Sequence, residues 1–134
     1  MTTQTLKVQI RYWDDSAKRN LATAEDLLKT KHYDSCLFFC HLALEKAMKG
    51  LIVGKTHESA PYIHDLEKLG TLAKISMDDT TRDLLRTIST FNIAARYDDV
   101  KFDFYKQCTK KYTEKYFFAT QKLWLSLKKH SRQK

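Results

Sequence analysis

A chain of 134 residues with 43% apolar and 30% charged side chains has the composition of one folded domain that can bury a core without disulfides or metals, which excludes disordered and collagen-like classes. Three glycines and one proline supply too few turns for a sandwich or barrel and point instead to long helices. The net charge of +8 is uneven: residues 1–100 hold 14 Lys and Arg against 14 Asp and Glu, whereas the last 34 hold ten basic residues against only Asp103 and Glu114.

From the N-terminus, Trp13, Ala17, Leu21, Ala24 and Leu27/Leu28 recur at three- and four-residue spacing, which predicts a helix from about Ile10 to Thr30 with a charged outer face. A second helix begins near Tyr33 and Asp34, an acid suited to the positive end of a helix dipole. Its run LFFCHLAL, Leu37 to Leu44, is apolar almost all round and belongs in the middle of a bundle. Gly54 reads as its stop, and Lys55 to Tyr62, with the only proline, as a loop.

A short third helix carries Leu66, Leu69, Leu72 and Ala73, with His64 and Asp65 at its start. A fourth starts near Asp78 and Asp79, shows Leu84/Leu85, Ile88, Phe91/Asn92 and Ala95, and ends around Tyr97 to Asp99. The last runs from about Phe104 to Lys129, with Tyr105, Cys108, Tyr112, Tyr116, Ala119, Leu123 and Leu127 on one stripe. The expectation is a single all-α domain over residues 1–134, an up-down bundle of four long helices and one short one.

No segment reaches the roughly 20 apolar residues that span a bilayer, and Met1 to Ile10 lacks a signal-type apolar core, so a cytoplasmic protein is expected. Cys36, Cys40 and Cys108 form no CxxC pair and are expected to be free thiols. Cys36 and Cys40, four apart, share a helix face and have His41 beside them, but no second cluster completes a four-ligand zinc site, so neither metal nor cofactor is expected. The basic C-terminal stripe suits a polyanion such as RNA, DNA or an acidic protein, or else simply forms a solvated face.

Helix two also carries the stretch CHLALEKAMKGLI, and this resembles the signature of the prokaryotic HEPN domain, an aromatic-rich helix ending in an A-x-EKALKxL run. Trp13 with Ala17, the His64-Asp65-Leu66 triplet and Arg96-Tyr97-Asp98, similar to the family's RYP element, agree in order and spacing. The resemblance implies a helical bundle that often dimerises, commonly paired with a minimal nucleotidyltransferase, with functions in nucleotide or RNA transactions. Many members are metal-independent ribonucleases, including toxins of toxin–antitoxin pairs, and use an arginine followed after four to six residues by a histidine. Here Arg82, Arg86 and Arg96 have no such histidine; Arg86 with Asn92 is the nearest imitation, and asparagine cannot titrate.

The expectation is therefore a binding module for a nucleotide or RNA, a homodimer or the partner of a nucleotidyltransferase-type protein, with Arg96, Tyr97, His41, Lys46, Lys49 and His64 as ligand contacts. The alternative is a ribonuclease toxin whose proton-transfer groups have migrated, with Arg86, Arg96 and Tyr97 as catalytic candidates. A bundle that only binds proteins is the third class. Structural readings stand beside these: His41 as a hydrogen-bonded core residue, His64 and Asp65 as a helix cap, Glu45 with Lys49 as an ordinary i,i+4 pair, and Tyr105, Tyr112 and Tyr116 as core or dimer contacts.

Overall fold

Thr2 starts the first helix by accepting the Thr5 N–H on its hydroxyl at 3.1 Å, and α1 runs Thr3–Lys29 in the computed structural model. The structure describes residues 1–94 and 97–132, with the backbone alone at 98, 99, 131 and 132. The helix thus begins ahead of Ile10, because residues 3–9 stand exposed or half-exposed and carry no core-facing period. Lys31, at φ 65°, closes the turn, with the His32 N–H on the Leu27 carbonyl at 2.8 Å.

The chain then returns along α1 as α2 (Tyr33–Thr56), which touches each of the other helices. Its buried residues from Cys36 to Val53 lie on all sides, as the LFFCHLAL run implies. Gly50 permits α1 to lie close, since a Cβ there would come within 3.1 Å of Trp13 Cβ and Asp14 Oδ1. Gly54 does not end the helix. His57 does, in the left-handed region at φ 59°, with its N–H on the Val53 carbonyl at 2.9 Å.

Asp65 caps α3 (Leu66–Leu72) by accepting the Lys68 N–H, and Asp78 starts α4 (Asp79–Ala94) by accepting that of Thr81 at 2.8 Å. Ser89 of α4 accepts the Leu66 N–H at 2.9 Å, and the Lys55 ammonium donates to the Ala73 carbonyl, so α3 is tied at both ends.

The expected last helix is two helices, α5 (Asp98–Gln107) and α6 (Lys110–Arg132). Cys108 leaves helical geometry at φ −79°, ψ 70°, and the Thr109 hydroxyl accepts the Tyr112 N–H at 3.2 Å, capping α6. The break turns Phe104 inward and leaves Tyr105 63% exposed, so Tyr105 is not the core residue its spacing suggested. Phe104, Tyr112 and Tyr116 instead surround buried Phe91, with ring centroids 5.4–6.3 Å from it. Among the described residues there are six helices and no strand, and no helix is long and apolar enough to cross a membrane.

Candidate functional site

Residues 41, 45 and 49 fall at successive i,i+4 positions of α2 and so share one face. Because that helix is buried on all sides, their polar heads must find partners inside the protein. Lys49 Nζ donates to Glu45 Oε2 at 3.0 Å, with each side chain only 7% exposed. The pair is therefore a buried one, not the surface pair the spacing suggested. Lys49 Nζ also lies 5.8 Å from the Trp13 ring centroid.

The second Glu45 oxygen reaches another element. Oε1 accepts from His64 Nδ1 at 2.9 Å, while His41 Nε2 donates to the His64 carbonyl at 2.9 Å and stands 3.7 Å from the same Oε1. His64 is thus held by ring and main chain, yet its side chain is 55% exposed. In the neutral ring, Nδ1–H on the carboxylate leaves Nε2 as the acceptor, the arrangement by which a carboxylate orients an imidazole for proton transfer. Burial alone would raise the Glu45 pKa; the hydrogen bonds from His64 and Lys49 outweigh it and hold the carboxyl below its ordinary value.

His64 lines a cavity of about 220 Å³ together with Asp65, Ser89, Thr90, Asn92 and Ile93. Asn92 is buried there, and its side-chain oxygen accepts no hydrogen bond from the described residues. The residue in the place of the missing histidine thus lines the same cavity as a histidine supplied by the α3 entry. Two turns back along α4, Arg86 is forked onto Glu67, with Nε and Nη2 each 2.9 Å from a carboxylate oxygen, and Arg82 joins at 3.3 Å. These arginines hold the Glu67 carboxyl below its ordinary pKa.

The remaining expected site residues that are described lie apart from this cavity or deeper than a ligand reaches. His41 is fully buried, and Lys46 is half-buried with its pKa lowered chiefly by burial. Tyr97 is exposed at the start of α5, and Arg96 lies outside the described residues. Cys36 and Cys40 are core residues; a hydrogen bond from the Cys40 thiol to Cys36, then burial, raises the Cys40 thiol well above its ordinary pKa. Sequence reasoning missed Glu45 as the centre of the network and Glu67 as the partner of Arg86. A usable signal was present for Glu45, since a carboxylate inside an all-round apolar helix requires an interior partner.

A second feature is the outer surface of α6. Its exposed described positions are Lys110, Lys111, Lys115, Phe118, Lys122, Leu125, Ser126, Lys128 and Lys129, with no carboxylate among them.

The run from Cys40 to Ile52 that carries Glu45 and Lys49, the His64 triplet it holds, and Trp13 against Gly50 are the elements that bear the resemblance described above. The HEPN domain model matches residues 10–130, and the chain belongs to the HEPN family. Among solved structures it is similar to TT1696 from Thermus thermophilus, with a TM-score of 0.76 and 21% identity, covering 90% of this chain and 97% of that one. At that identity the likeness is one of fold. No curated protein matches the sequence.

Proposed function

We propose that the chain is a cytoplasmic HEPN-family module that binds a nucleotide or RNA, as a homodimer or together with a nucleotidyltransferase-type protein. The observation that carries this reading is the α6 surface, six exposed lysines with the half-buried Glu114 as the one carboxylate in that helix. Arg96 and Tyr97 are assigned a phosphate fork and a stacking ring, and His64 and Lys46 further polar contacts to the ligand. Titrating a labelled RNA at several salt concentrations tests it. Replacing Lys115, Lys122 and Lys129 with Gln is expected to reduce the slope of log affinity against log salt by about two. Unchanged affinity and slope would assign α6 to solubility alone, and unchanged affinity in Arg96→Ala would remove that residue from the site.

A second reading, metal-independent RNA cleavage by a toxin-type module, is favoured by the Glu45–His64 pair. In it, His64 Nε2 takes the proton of a 2′-hydroxyl, the 2′-oxygen bonds to phosphorus, and the P–O5′ bond breaks with a proton delivered to O5′ from Tyr97 or water. Arg86 or Arg96 stabilises the phosphorane charge. Wild-type protein and the His64→Ala, Arg86→Ala and Arg96→Ala variants would be compared on labelled RNA without metal. Cutting by wild type that His64→Ala abolishes supports the reading, and no cutting above buffer removes it.

A further inference from the structure

The exposed side of α6 is ordered as well as basic. Lys111, Lys115, Phe118, Lys122, Leu125 and Lys129 follow one another at alternating steps of four and three residues, and all six are exposed. Steps of that size keep side chains on one face of a helix, so the six form a stripe about 27 Å long at 1.5 Å per residue. Phe118 interrupts the lysines with a ring that is 53% exposed. It is braced from behind: Phe117, only 2% exposed, meets it edge-on with centroids 5.4 Å apart and an interplanar angle of 73°. An aromatic ring fixed against the core, open to solvent and flanked by cations within a turn on either side, has the parts of a base-stacking platform.

We propose that Phe118, with Lys115 and Lys122 beside it and Lys111 and Lys129 beyond, binds single-stranded nucleic acid by stacking one base on the ring while the lysines follow the backbone. The inference rests on the polyanion reading of α6 and deepens it by naming the strandedness and the residue that selects it. Lys115 and Lys122 are about 10 Å apart along the axis, a span that one nucleotide with the phosphates on its two sides can bridge. A duplex keeps its base faces inside the stack and offers Phe118 none, so the ring discriminates where the lysines cannot. An acidic amphipathic helix fits less well. Docking of that kind needs apolar anchors at i, i+3 or i+4, and i+7, whereas this stripe has only Phe118 and Leu125, with Lys122 between them.

The test measures the affinity of wild type, Phe118→Ala and Phe118→Trp for three probes at one salt concentration: a labelled oligouridine, the same length of RNA duplex, and heparin, a polyanion without bases. Phe118 is largely exposed, so both variants are expected to fold, and circular dichroism checks this. Phe118→Ala is expected to lose about tenfold in affinity for oligouridine, the worth of stacking on one base, with heparin affinity unchanged, and Phe118→Trp to bind oligouridine at least as well as wild type. Equal oligouridine affinity in wild type and Phe118→Ala, with heparin still bound, overturns the stacking platform and leaves the polyanion reading intact. Tighter binding of duplex than of oligouridine overturns it as well. Wild type that binds none of the probes removes both readings together.

Discussion

Glu45 Oε1 and His64 Nδ1 stand 2.9 Å apart although 19 residues separate them in sequence, and this contact fixes where the entry to α3 meets α2. Glu45 simultaneously neutralises Lys49 in the interior, so one carboxylate serves both a loop and a buried cation.

Removing that carboxylate strands a charge. Glu45→Ala leaves the Lys49 ammonium buried without its partner, and a loss of about 3–5 kcal/mol in unfolding free energy is expected from denaturant titration. The double variant Glu45→Leu with Lys49→Met removes both charges and is expected to recover much of that loss. A double variant no better than Glu45→Ala would show that the His64 contact, and not the stranded ammonium, accounts for the cost.

The same carboxyl makes stability depend on pH. Its pKa in the folded protein lies below its unfolded value, so its contribution is fully present above the ordinary carboxylate range and is lost as pH falls through the depressed folded value. Thermal midpoints measured on the acid side are expected to fall less steeply for Glu45→Gln than for wild type. Glu67 and Asp78, also depressed, are common to both proteins, so the difference between the two curves reports Glu45.

All three thiols are buried, and burial pushes the Cys108 thiol up to about 12. No alkylation by iodoacetamide is expected at mildly alkaline pH in the native protein, with rapid labelling of all three on unfolding. Fast labelling of Cys108 alone would show that the α5–α6 junction opens without the rest.

Phe91 is the hub on which α4, α5 and α6 converge. Phe91→Ala is expected to cost about 3–5 kcal/mol, read from the denaturant midpoint. In hydrogen exchange, the amides of α5 should lose protection before those of α2 in this variant, because among its described side chains α5 buries Phe104 alone.

How far the sequence reveals this molecule differs from one element to the next. The central helix is legible because its apolar residues leave no polar face, and the caps at Asp65 and Asp78 because acids at helix starts have a local cause. The join of α5 to α6 is hidden because the apolar stripe continues through Cys108, and only the side chain of Thr109 decides for a new helix. The end of α2 is misread for the opposite reason: Gly54 advertises a stop, while His57 takes the left-handed conformation without the usual glycine. The carboxylate–imidazole pair is half visible. Helix periodicity joins Glu45 to Lys49, but nothing local joins either of them to His64 across the loop.

Because Glu45 and His41 of α2 grip His64 at its ring and its carbonyl, the position of the imidazole does not depend on the path the chain takes to reach it. Of the residues between His57 and His64, Glu58 and Ser59 are exposed and Tyr62 wholly so, while Ile63 packs back against the core. This stretch is a place where relatives can gain or lose residues, or where a tag can be inserted, without displacing the histidine that follows.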